Sequence, residues 1–74
     1  MLQPISGKEL EYIADSMSNE NLLLKQCAAA SASCSNQQIK QVLDHQAQVH
    51  AQHYQTLLSL LQQHQPLAPT QPQA

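Results

Sequence analysis

The chain has 74 residues and a mass of 8.2 kDa, and 42% of it is apolar although only Tyr12 and Tyr54 are aromatic. Leu and Ala dominate the apolar side, a helix-forming composition, and glutamine supplies most of the polarity. Charged residues are 11% and the formal charge is −2, with three Lys and no Arg. That balance lacks the basic field needed to neutralise phosphates and argues against nucleic acid as a partner.

Apolar runs such as Leu22-Leu23-Leu24 fall far short of the roughly 20 residues of a bilayer span. Met1 to Gly7 carries no basic stretch followed by an apolar one, so the expectation is cytoplasmic synthesis. Gly7 is the only glycine, which leaves no residues for a phosphate-cradling loop.

Residues 1–5 read as an N-terminal extension, followed by a helical hairpin over 6–64. Ser6-Gly7-Lys8-Glu9 has the pattern of a capping box, in which Ser6 accepts from the Glu9 N–H and Glu9 reaches back to the Ser6 N–H. A first helix is expected over about 7–34. Its interior seam is Leu10, Ile13, Met17, Glu20, Leu24, Cys27, Ser31 and Cys34, which recur at alternating steps of three and four. Glu20 is the one charged member.

Cys27 and Cys34, seven residues apart, are about 10.5 Å apart along one helix, too far to bridge. Their spacing fits no zinc motif, and they read as small packing residues.

Ser33-Cys34-Ser35-Asn36 is the break, because Ser and Asn favour turns and N-caps. A turn at about 35–36 leads to a second helix over about 37–64. Its expected seam is Ile39, Leu43, Gln46, His50, His53, Leu57, Leu60 and His64, flanked by Val42, Val49 and Leu61. Pro66, Pro69 and Pro72 then oppose helix, and residues 65–74 are expected to be a disordered Pro/Gln-rich tail.

Two such helices joined by a tight turn lie antiparallel, each about 42 Å long. A hairpin this small leaves apolar positions wet, so the expected fold is an all-α hairpin that dimerises into a four-helix bundle.

Folding about residues 35 and 36 sets opposite positions at numbers summing to about 71, which places Glu20 between the levels of His50 and His53. A carboxylate on an interior seam needs a partner, or its pKa shifts until it is neutral. Two readings stand. In one, Glu20, His50 and His53 form a hydrogen-bonded network that fixes register and partner. In the other, they hold iron, manganese or zinc, with Gln46, one turn from His50, and Tyr54 orienting the ligands from behind. His45 and His64 fall outside this set. No nucleophile, base and orienting acid can be assembled from the sequence, so no enzyme is expected.

The runs ISGKELEYIADSMSNENLLLKQ and NQQIKQVLDHQAQVHAQHYQTLLSLLQQ, spanning about residues 5–63, resemble the spore coat protein F family. The resemblance implies a ferritin-like helical hairpin, assembly into homodimers or larger bundles, contact with other coat proteins, and a location in the bacterial spore coat. It further implies a non-enzymatic structural module, with a ferritin-like metal-binding or redox protein as the alternative. Glu20 matches the first-helix Glu of ferritin-like di-iron sites and His53 the histidine of their Glu-x-x-His motif. Here His50 stands where that motif has Glu, which lowers the negative charge of the site and disfavours ferroxidase chemistry.

Overall fold

The computed structural model describes residues 4–64, which form two antiparallel helices, α1 (Gly7–Ser33) and α2 (Gln37–His64), with no strand among the described residues. The tail 65–74 and residues 1–3 of the N-terminal extension lie outside the described residues.

The capping box at the start of α1 is complete. Ser6 is extended, its hydroxyl accepts from the Glu9 N–H at 3.0 Å, and Glu9 Oε1 accepts from the Ser6 N–H at 2.9 Å. At the far end, extended Cys34 closes α1 by donating its N–H to the Ser31 carbonyl at 3.1 Å. Asn36 starts α2 as an N-cap: its Oδ1 accepts from the Ile39 N–H at 3.1 Å and its carbonyl from the Lys40 N–H at 2.9 Å. Capping at both ends of the break explains how Cys34, Ser35 and Asn36 reverse the chain without a glycine.

A three-way polar contact pins the register at this turn. Lys40 Nζ donates to the Ser31 carbonyl at 3.0 Å and lies 3.4 Å from the Ser31 hydroxyl, which donates to Asp44. Ser31, 3% exposed, is the one fully buried residue among those described. No apolar side chain reaches that state.

From Ile13 to Cys34 the α1 seam faces inward as its spacing predicts, every member being half-buried or buried, whereas Leu10 is exposed near the open end of the hairpin. The α2 seam differs. Leu43, His50, Leu57 and His64 face inward, but the alternating positions are Lys40, Ala47, Tyr54 and Leu61, one residue later than expected. Ile39, Gln46, His53 and Leu60 are exposed on one flank. The register brings Lys40, Ala47 and Tyr54 level with Ser31, Leu24 and Met17, so a small residue lies opposite Leu24, and Lys40 carries its amine to a carbonyl at the turn.

This rotation makes the two sides of the hairpin unlike. On one side helical spacing gathers Leu23 of α1 with Ile39, Val42, Val49 and Leu60 of α2. Leu23, Ile39, Val42 and Leu60 are 38–60% exposed. Among the described residues the only exposed formally charged one on that side is Glu9, at the helix start and engaged in the cap. The opposite side carries Glu11, Lys25 and Asp44, and a glutamine every seventh residue at Gln41, Gln48, Gln55 and Gln62.

Candidate functional site

Glu20 sits near the middle of α1 on its inward seam, where an apolar residue would otherwise be. Across from it, His50 is on the inward seam of α2 and His53 follows by three residues, which turns both imidazoles to one side of the helix. The turn clamp at Ser31, Lys40 and Asp44 sets the level at which they meet.

His50 Nδ1 lies 2.6 Å from Glu20 Oε2, and His53 Nδ1 lies 3.1 Å from Glu20 Oε1. Each carboxylate oxygen thus has its own imidazole, and with both rings as the Nδ1–H tautomer Glu20 accepts two hydrogen bonds. The rings stand edge to face, with centroids 5.9 Å apart and planes at 80°. Glu20 and His50 side chains are 20% and 18% exposed, whereas His53 is 55% exposed. One imidazole is an interior partner and the other closes the site from the solvent side.

The hydrogen bond from His50 holds the Glu20 carboxyl below its ordinary value of 4.5; partial burial opposes this, and the bond from His53 adds to it. The carboxylate is therefore ionised at neutral pH. Beside it Ser16, Thr56 and Leu57 complete a shallow groove with Glu20 and His53, open on the charge-poor side of the hairpin.

Of the residues expected to orient this site, neither joins it. Gln46 is exposed, and Tyr54 lines a separate groove with Ala14, Met17, Asn21 and Leu61 on the other side of the seam. Neither hydrogen-bonds to Glu20, His50 or His53 among the described residues. His45 is exposed, and His64 Nδ1–H donates locally to the Leu60 carbonyl at 2.8 Å. Cys27 and Cys34 are free and half-buried; the Cys34 thiol donates to the Asn36 carbonyl at 3.5 Å.

The Ser31–Lys40–Asp44 contact lies outside the expected site. Its signal in the sequence is that Ser31 and Lys40 are opposite in the hairpin register, but the apolar pattern favours Ile39 over Lys40 as the inward residue. Ser and Lys together suggest a nucleophile with a base. Here Ser31 is buried, its hydroxyl is committed to Asp44, and Lys40 donates to the Ser31 carbonyl, which makes the group a clamp.

Compared with protein-family models, with curated proteins and with solved structures, the chain matches none of them. No helix of the described residues is long and apolar enough to cross a membrane.

Proposed function

We propose that the chain is a non-enzymatic assembly module, a helical hairpin whose charge-poor side pairs with a second copy to complete a four-helix bundle. The observation that carries this reading is the absence of any fully buried apolar side chain in the described hairpin, set beside Leu23, Ile39, Val42 and Leu60 exposed on one side. Apolar residues at the two interhelical seams and on one adjoining flank are the pattern of a helix in a bundle, where a two-stranded coil needs only the seams. A second copy is the fitting occupant because the only formal charges on this side are Glu9, engaged in the helix cap, and Glu20, held by His50 and His53, so two copies meet with little like-charge repulsion.

In this reading Glu20, His50 and His53 are the polar layer that fixes helix register and partner, as buried polar residues do in coiled coils. The resemblance to spore coat protein F supports the same role, a structural part of a larger proteinaceous layer. Sedimentation equilibrium of the full chain at micromolar concentration, with helicity read by circular dichroism, tests the proposal. A helical species of twice 8.2 kDa or a higher multiple is expected; a fully helical monomer overturns it.

A further inference from the structure

The three polar side chains at the centre of the hairpin also have the composition and convergence of a cation site. One oxygen of Glu20 and one ring nitrogen each of His50 and His53 lie within 4.8 Å of one another. Both histidines turn the same atom, Nδ1, toward the carboxylate. The atoms that now share protons are therefore the atoms that would bind a metal.

We propose that Glu20, His50 and His53 form a mononuclear site for a divalent transition-metal cation of the zinc class, with three protein ligands and one position left to solvent. Two imidazole nitrogens and one carboxylate oxygen are a borderline donor set, suited to zinc and poor for calcium or magnesium, which take oxygen cages. Zinc ligands at about 2.0–2.2 Å in tetrahedral array stand roughly 3.3–3.6 Å apart. The two ring nitrogens stand 2.6 and 3.1 Å from different Glu20 oxygens, and one oxygen with both nitrogens lies within 4.8 Å, so the three donors reach that spacing by side-chain shifts of about 1 Å. One further feature favours a cation here. In the single hairpin His53, half-exposed beside the groove with Ser16 and Thr56, leaves an open path for the ion and its remaining ligand.

Binding exchanges a proton for the metal at each Nδ1. A neutral imidazole keeps its proton by moving it to Nε2, and any protonated imidazole releases one to solvent. No oxidant or reductant is involved.

The groove of the site opens on the side assigned to pairing, so metal binding and self-association are read out separately. Chelator-stripped full-length protein is titrated with zinc chloride by calorimetry, and the cobalt(II) form is examined by visible absorption. One zinc per chain, a raised melting temperature, and the intense visible bands of four-coordinate cobalt are expected. His53→Ala, at a half-exposed position and with helicity checked by circular dichroism, is expected to weaken zinc binding by at least about tenfold, since a lost ligand exceeds the loss of an outer partner. His50→Gln and Glu20→Gln are expected to do the same, and His45→Ala to leave binding unchanged. Zinc binding only at millimolar concentration, equal binding by His53→Ala, or a six-coordinate cobalt spectrum overturns the proposal. Mass in solution, recorded for every sample, shows whether the assembly reading fails separately.

Discussion

His50 Nδ1 and Glu20 Oε2 stand 2.6 Å apart across the middle of the hairpin, thirty residues apart in the chain, and among the described residues only the hydrogen bond of His53 to the same carboxylate spans a longer stretch. In the proposed reading, a polar pair at that position specifies how the helices meet more than how tightly. With chelator present, Glu20→Ala is expected to lower the melting temperature, because it strands His50 on an interior seam. Replacing both residues, Glu20→Leu with His50→Leu, is expected to hold or raise the melting temperature, since apolar replacements for a half-buried polar pair are often neutral or stabilising. Thermal circular dichroism on the three proteins decides; a double variant less stable than Glu20→Ala shows that the pair itself is a principal source of stability.

The same pair gives acid sensitivity with a definite sign. The Glu20 carboxyl is held below its ordinary value of 4.5 by His50, with His53 assisting. The Glu9 carboxyl is held below 4.5 by the Ser6 backbone N–H and then the Ser6 side chain. A lowered folded pKa means stability that is fully present above about 4.5 and is lost as pH falls through the lowered value. Urea midpoints of metal-free protein are expected to fall below pH 4.5 in wild type, and Glu9→Gln with Glu20→Gln is expected to flatten that fall.

The start of α1 offers two changes of opposite sign. Ser6→Ala removes the hydroxyl that caps the Glu9 N–H and is expected to cost about 1 kcal/mol. At the next residue a Cβ meets nothing within 4 Å and the backbone has no positive φ. Gly7→Ala is accordingly expected to stabilise by roughly 0.4–1 kcal/mol, through a less flexible unfolded chain. Chemical denaturation curves with equal slopes check both.

The helices, their caps and the inward face of α1 are legible in the sequence because each rests on local chemistry: Ser6 with Glu9, Asn36 with the Ile39 N–H, and a single stripe from Ile13 to Cys34. The inward face of α2 is not, for a physical reason. Leu43, His50 and Leu57 recur every seven residues and belong to two candidate faces. Two of the residues just before an inward partner, Ile39 before Lys40 and Leu60 before Leu61, are at least as apolar as the ones turned inward. Local periodicity is degenerate there, and the choice falls to α1, which offers Lys40 a carbonyl at the turn and sets Ala47 level with Leu24. Glu20 with His50 survived this ambiguity because His50 lies on both faces. Tyr54 and Gln46 did not, and each ends on a different surface from the site.

The turn clamp gives a test of register. Ser31→Ala deletes the buried hydroxyl between Lys40 and Asp44 and is expected to destabilise by about 1 kcal/mol, the net value of such a hydrogen bond. Lys40→Met keeps the stem and removes the amine. Hydrogen exchange of the amides at the start of α2 is expected to quicken in both variants; unchanged exchange with Lys40→Met assigns the register to Asn36 and the apolar seam alone.

The most direct test of the account is the mass in solution of matched charge variants on the two sides of the hairpin. Ile39→Lys with Leu60→Lys places two charges on the charge-poor side, and Gln48→Lys with Gln55→Lys places two on the glutamine side. Light scattering at the same micromolar concentration is predicted to show the first as a hairpin of 8.2 kDa with reduced helicity and the second as the wild-type oligomer. Equal masses for the two variants contradict the account.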